Sequence, residues 1–339
     1  MARRYLLYGS ERYALGILRP LQAAMRNRGD EAAWFFDGPG AERLSTDERL
    51  LHDISEVKAF GAIANFAPGN HIPDFFPGVK VMVFHGFNAG KPRHIYVRGF
   101  FDLYCTTGPN DTRGFQALAE RLGHFTVKET GWPKLDPFIN FPSETKGDRP
   151  VVLYHSTFSP SWSAADTLYD QVRELSQSGR WRWVISLHPK SEPATVARYK
   201  ALKGEYLEFS EADNILELFP KVDLMVSDTS SALSEFLLWR KPVVTFKNRR
   251  PGPYLIDIDD PAALERSIEQ ALNRPPALME AIRKYTDGIH PYRDGKSSER
   301  VLDAVEDFIA AGARNRKSKP LNLWRKFRIR RRLGYYHLR

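Results

Sequence analysis

The chain is poor in cysteine: Cys105 is the only one in 339 residues, which excludes an intramolecular disulfide framework and any zinc or iron–sulfur site built on several thiolates. It also favours a reducing compartment. No run of 18 or more apolar residues occurs, so no segment has the length of a membrane-spanning helix. The apolar run Tyr5–Tyr8 is too short for a signal-peptide core, and charge returns at Glu11. Four mechanistic motifs are missing: HExxH, GxxxxGK[ST], GxSxG and a GxGxxG after a strand. Together these absences withdraw support from a metalloprotease, a P-loop NTPase, an α/β-hydrolase and an ordinary NAD-binding protein. No short internal repeat points to a solenoid.

What is present reads as globular. Apolar residues make up 42% and charged residues 27% of the chain, and 339 residues give a prior of two domains, each long enough to bury a core. The net charge of +9 is local: residues 314–339 hold eleven Lys/Arg and no Asp/Glu, which leaves residues 1–313 at −2.

Short β-rich runs alternate with helical patterns, the signature of parallel sheets built from βαβ units. In the first half, strands are expected at Arg4–Gly9, Ala32–Phe36, Ala59–Asn65, Val79–Phe84, Asp102–Thr107 and Thr126–Glu129, with helices at Tyr13–Arg28 and Arg113–Leu122. Residues 139–150 lose the apolar periodicity and read as a linker. A second alternation places strands at Val151–Tyr154, Trp181–Leu187, Tyr206–Phe209, Asp223–Val226 and Val243–Phe246. Helices are expected there at Ala164–Gln177, Pro193–Ala201, Asn214–Phe219 and Ser231–Trp239. The expected fold is therefore α/β: two Rossmann-like, doubly wound domains, 1–140 and 151–290, facing a central cleft. A helix within 294–312 would cross that cleft, and 314–339 would form a basic tail.

In open parallel sheets ligands bind beyond the carboxyl ends of the strands. The residues there are polar: His85-Gly86 after VKVMVF, His155-Ser156-Thr157 after VVLY, His188-Pro189-Lys190 after WRWVISL, and Ser227-Asp228-Thr229-Ser230-Ser231 after DLMV. Hydroxyls and backbone N–H groups at a helix start suit a phosphate, although the same residues also serve as a helix cap. His85 and His188 hold matching places in the two halves, and an imidazole can take a proton from a hydroxyl or stabilise an anion. His155 suits the same crevice or the core equally. Asp294-Gly295-Lys296-Ser297 precedes an amphipathic helix, as its cap or as a second anion or polyol contact.

These segments carry a resemblance. The HG pair, GWPKLD at 131–136, LYHSTF at 153–158, HPK at 188–190, VSDTSSALSEF at 226–236, KPVV at 241–244 and DGKSSERV at 294–301 occur in an order that resembles the CDP-glycerol glycerophosphotransferase family of teichoic-acid and capsule synthesis. The likeness covers roughly residues 79–312. It implies a glycosyltransferase-B architecture, with the donor in the C-terminal domain and the acceptor entering from the N-terminal one. It implies catalytic roles for His85 and His188, and donor binding by Thr157, Lys190, Ser227, Asp228, Thr229, Ser230, Ser231 and Glu235. Gly86, Asp294, Gly295 and Ser297 are expected on the acceptor side or behind it. Two departures are visible: Phe87-Asn88-Ala89-Gly90-Lys91 follows the HG pair in place of Thr-Pro and a basic pair, and Thr229 replaces an aromatic residue.

The expected reaction is attack of an acceptor hydroxyl on the β-phosphorus of a CDP-polyol, with release of CMP, the acceptor being lipid-linked or a glycan. No cofactor is expected to be tightly bound and no protein-bound metal is expected, Mg²⁺ on the donor diphosphate being left open. Rival readings are a nucleotide-sugar transferase of the same architecture, a nucleotide-sugar 2-epimerase, and a nucleic-acid-binding or scaffold protein. The tail interleaves Leu321, Leu323, Trp324, Phe327 and Ile329 with cations, which suits an anionic membrane surface better than nucleic acid. The expected location is cytoplasmic, peripheral on the inner face of the cell membrane.

Overall fold

A computed structural model of the chain describes residues 2–87, 95–138, 147–212, 214–312 and 316–336. The chain divides into two compact units, residues 1–140 with 288–339, and residues 141–287.

The first unit opens with β1 (Arg4–Gly9), α1 (Tyr13–Asn27), β2 (Glu31–Phe36), α2 (Ile54–Phe60), β3 (Ala64–Ala67), β4 (Val79–Val83), β5 (Leu103–Thr106), α3 (Pro109–Leu122) and β6 (Thr126–Glu129). The strands form one parallel sheet in the order β2-β1-β3-β4-β5-β6. Successive side chains of a strand point to opposite faces. Here both faces are covered: Tyr5 and Leu7 pack against α1, whereas Leu6 and Tyr8 enter a second core with Phe35, Phe60 and Phe115. Leu6 and Leu7 are fully buried, each contributing about 1.5–3 kcal/mol. This accounts for the unbroken apolar runs of the sequence.

The second unit holds β7 (Val151–Ser156), α4 (Tyr169–Gln177), β8 (Arg182–Leu187), α5 (Pro193–Lys200), β9 (Leu207–Phe209), β10 (Leu224–Ser227), α6 (Ala232–Leu237), β11 (Val243–Phe246), β12 (Ile256–Ile258), α7 (Leu264–Leu272) and α8 (Pro276–Ile289). Its sheet is also parallel, in the order β12-β11-β10-β7-β8-β9. The chain re-enters the first unit within α8, and α9 (Ser297–Ala311) lays Val301, Leu302, Val305 and Phe308 into the core that α1 covers. The helix expected to cross a cleft is thus part of the first unit's own core.

Of the basic segment, residues 316–336 fold back onto the same unit and include α10 (Leu323–Arg332). Ile329 joins the core beside Phe35 and Phe76, and Tyr335 stacks on Phe75 with ring centroids 4.1 Å apart. Asp74 accepts from Arg330 at 3.2 Å and pairs with Lys326 at 3.5 Å; Asp37 pairs with Arg332, and Asp102 pairs with Lys319 at 2.6 Å. Carboxylates of the acidic body therefore hold several of the tail's cations.

Three expected elements differ, the helix expected from Ala164 beginning only at Tyr169. A strand over Ala59–Asn65 begins only at Ala64, because residues 54–60 form α2: Asp53 accepts from the Glu56 amide at 2.9 Å and Gly61 closes the helix at φ 63°. The helix expected at Asn214–Phe219 is instead two 3₁₀ turns, Ile215–Glu217 and Phe219–Lys221, that meet at Leu218, with Pro220 inside the second.

Candidate functional site

In each sheet the strand order reverses at one point, where neighbouring loops turn opposite ways and leave a crevice. In the first sheet it falls between β1 and β3, and His85 is fixed there. Its Nδ1 lies 3.3 Å from the Pro68 carbonyl just beyond β3, and its ring packs on Tyr13, centroids 5.5 Å apart. A carbonyl only accepts, so Nδ1 carries the proton and Nε2 is the basic nitrogen. Gly86 follows directly, and residues 88–94, with the departure Asn88–Lys91, lie outside the described residues.

Behind His85 the two most distinctive segments brace one another. Trp132 donates from Nε1 to the Phe84 carbonyl at 2.8 Å, fixing the end of β4. Asp136 accepts from the amides of Ser297 and Ser298 at 2.9 and 2.6 Å, and Gly131, at φ 87°, leaves no room for a Cβ, which would sit 2.5 Å from Ser297 Oγ. Arg300 grips Asp294 through both oxygens, at 2.8 and 2.7 Å, and lies over Tyr292, whose hydroxyl donates to Glu129 at 3.0 Å. Asp294 is thus tied to Arg300 at the surface, and the Ser297 amide is taken by Asp136. Asp136 already occupies the N-terminus of α9, and Ser297 is fully buried.

In the second sheet the reversal falls between β7 and β10, and Asp228 bridges it. Its carboxylate, with the residue 0% exposed, accepts from Ser156 Oγ at 2.5 Å, from the Thr157 amide at 3.1 Å and from the Ala164 amide at 3.0 Å. Burial pushes the Asp228 carboxyl upward, and these donors pull it back. Ser227 is also fully buried. Both side chains are buried, and the Asp228 carboxylate is engaged by the loop between β7 and α4. Thr157, Thr229, Ser230, Glu235 and the exposed Ser231 remain at the accessible edge. Ser230 Oγ accepts from the Ala232 amide at 3.3 Å, and α6 has only six residues. A helix this short offers little of the helix-start field expected there, and the Thr229, Ser230 and Ser231 hydroxyls lie at the same edge.

His188, just past β8, has the opposite tautomer to His85. Its Nδ1 accepts from the Lys190 amide at 3.0 Å, leaving the proton on Nε2. Partial burial and the Lys190 ammonium hold its pKa below the usual imidazole range, so the ring is neutral at pH 7. Phe158 packs on it, centroids 4.5 Å apart. One histidine thus presents a basic nitrogen and the other a donor. Two residues not expected from sequence stand beside the edge: Asn248 donates to the Asp228 carbonyl at 3.0 Å, and the Arg249 amide donates to Thr229 Oγ1 at 3.0 Å. In sequence, Asn248-Arg249-Arg250 reads as a solvated charge run.

His155 belongs to the core. It is 5% exposed, its Nδ1 donates to the Ser186 carbonyl at 2.8 Å, and burial lowers its pKa to about 4. The folded value lies below the unfolded 6.5, so its stabilisation is present above pH 6.5 and is lost as pH falls towards 4. Between pH 7 and pH 5 this costs about 2 kcal/mol. His155→Asn, which keeps a donor for Ser186, is expected to remove that share of the decline in urea unfolding; an unchanged decline would contradict the assignment. Among the described residues no cluster of three or more His, Cys, Asp or Glu side chains forms a metal site, and no helix is long and apolar enough to cross a membrane.

Two α/β units with parallel sheets, each placing a histidine and other polar groups at the carboxyl edge of its sheet, define a two-domain α/β protein. The family model described as CDP-Glycerol:Poly(glycerophosphate) glycerophosphotransferase matches residues 121–307, more than half of the chain. The chain belongs to this family. The match includes His188, the Ser227–Ser231 segment and Asp294–Arg300, and begins after His85.

The chain is similar to a teichoic acid poly(ribitol-phosphate) polymerase of Bacillus spizizenii, 23% identical over 283 residues, covering 76% of this chain and 42% of that protein. It is similar also to a teichoic acid glycerol-phosphate primase of Bacillus subtilis, 21% identical over 226 residues, covering 61% of this chain and 58% of that protein. The chain thus spans about half the length of these curated relatives. Among solved structures, the wall teichoic acid polymerase TagF superposes with a TM-score of 0.63 at 14% identity, covering 91% of this chain and 90% of that one. A UDP-GlcNAc 2-epimerase from Neisseria meningitidis, bound to UDP-GlcNAc, gives a TM-score of 0.62 at 12% identity, covering 90% and 100%. At such identities the likeness concerns the fold, the two-domain α/β architecture expected from the sequence.

Proposed function

We propose that the chain transfers a glycerophosphate or related polyol-phosphate unit from a CDP-activated donor to a hydroxyl of a lipid-linked or glycan acceptor in cell-surface polymer synthesis. The observation that carries this reading is the pair of opposite tautomers, one in each unit, within a chain of the glycerophosphotransferase family. His85 Nε2 takes the proton of the acceptor hydroxyl, whose oxygen forms a bond to the β-phosphorus. The anhydride bond to the α-phosphate breaks, and CMP leaves. His188 donates from Nε2 to a phosphate oxygen, with Lys190, Ser231 and the Thr229–Ser230 hydroxyls stabilising the redistributed charge, the kind of preorganised contact that acts most strongly on phosphoryl transfer. Mg²⁺, where it takes part, comes with the donor diphosphate.

The test is incubation with CDP-glycerol, CDP-ribitol and common nucleotide sugars in the presence of an acceptor panel. Release of CMP from a CDP-polyol is expected. Release of UDP or UMP from a nucleotide sugar, with the CDP-polyols inert, would replace the reading with sugar transfer or epimerisation.

The reading extends to the membrane. The docked α10 is inverted relative to a helix that merely packs: Leu323, Trp324 and Phe327 are 71%, 70% and 47% exposed, and Ile329 is the helix residue in the core. Aromatic and aliphatic side chains facing outward beside cations suit the interface of an anionic bilayer. Attachment there, on the inner face of the cell membrane, confines enzyme and lipid-linked acceptor to one surface. Because Ile329 and Tyr335 are part of the fold, point changes at Trp324 and Phe327 test attachment more cleanly than removal of the tail.

A further inference from the structure

Beside the face of α10 that Ile329 buries, Arg325, Arg328 and Arg332 form an exposed stripe, spaced three, four and seven residues apart. With Arg98 of the segment preceding β5 and His71 of the loop after β3, this stripe lines a cavity of about 390 Å³, floored by Phe100 and Ile329. Buried apolar residues are the usual inward face of a surface helix. In α10 Ile329 takes that place, and the arginine stripe runs alongside it.

The charges are unevenly matched. Arg332 is neutralised by Asp37 and also donates to His71 Nε2 at 2.8 Å. Among the described residues no carboxylate pairs with Arg98, Arg325 or Arg328, and Arg98 Nε is buried without a hydrogen-bond partner. The walls are fixed. Arg325 donates to the Tyr96 hydroxyl at 2.9 Å, Arg98 lies 5.7 Å from the Tyr96 ring, and Asn322 donates to the Arg98 carbonyl at 2.5 Å. The held guanidinium groups of Arg98 and Arg325, with Arg328 at the exposed rim, have the fork geometry that suits a phosphate anion. Trp324 and Phe327 stand exposed on the same helix, so an anion reaching the cavity from a bilayer would arrive with apolar groups alongside.

We propose that this cavity is a phosphate-binding pocket that takes the headgroup phosphate of an anionic phospholipid. The inference rests on the membrane reading above and gives it a specific site.

The experiment compares sedimentation of the full chain with phosphatidylcholine vesicles and with vesicles that also contain phosphatidylglycerol. Arg98→Gln is expected to weaken binding to the anionic vesicles roughly 10- to 100-fold, the loss of a hydrogen bond to a charged group. Arg331→Gln removes the same charge from an exposed position outside the pocket, and is expected to cost no more than about fivefold. Trp324→Ser with Phe327→Ser is expected to abolish sedimentation with both vesicle types. Equal losses from Arg98→Gln and Arg331→Gln, with the aromatic double variant still inert, would overturn the pocket and leave membrane attachment standing. Absence of wild-type binding to either vesicle would overturn both. In that event calorimetry with inorganic phosphate, sensitive to Arg98→Gln, would reassign the cavity to a soluble phosphate ester.

Discussion

Replacing His188 or His85 with alanine is expected to lower kcat for CMP release from a CDP-polyol by about 10²- to 10⁴-fold, the size of a general-base or oriented-donor contribution. The two positions should differ under a conservative change. Glutamine at 188 keeps an N–H donor and should restore part of the rate, because His188 acts through the proton on Nε2 that the Lys190 amide imposes. Glutamine at 85 supplies no base, and no recovery is expected, since the contact of Nδ1 with Pro68 leaves Nε2 as the nitrogen that accepts. Steady-state rates for the four variants decide the matter. Near-wild-type turnover in either alanine variant would remove that residue from the mechanism, and equal behaviour of the two glutamine variants would contradict the tautomer assignment.

The second large effect is structural. Asp228→Ala leaves the amides of Thr157 and Ala164 without their acceptor inside a buried loop, and breaking such a buried network costs about 3–5 kcal/mol. Urea unfolding should show that loss. Asp228→Asn, which keeps one acceptor oxygen, should recover part of it. A loss below about 1 kcal/mol would mean that Asp228 does not tie β7 to β10, and would return it to the list of residues that meet a ligand.

Much of the architecture was legible because parallel strands buried on both faces write themselves as continuous apolar runs. Arg4–Gly9, Thr126–Glu129 and Val243–Phe246 are strands with the expected limits. The missed α2 was also legible, since Asp53 and Glu56 have the spacing of a helix cap, but the apolar Ala62-Ile63-Ala64 that follows drew the strand forward. His85, His188 and the SDTSS segment were found by one rule, that ligands sit beyond strand ends, and they do lie at those edges.

Sequence alone determined the strand runs, the two α/β halves, the polar residues at their carboxyl edges and the family to which they point, because each is written in neighbouring residues or in a motif. Tertiary structure decided which of those residues are buried and what they pair with. Asp228 and Ser297 look like ligand contacts in one dimension, and only the partners brought from 71 and 161 residues away, Thr157 and Asp136, turn them inward. The same holds for the tail. Its charges read as a free basic end until Asp37, Asp74 and Asp102, more than 200 residues earlier, pair with it. A buried carboxylate must find donors and a cation lowers its energy beside a carboxylate, and the fold, not local spacing, sets which ones are within reach.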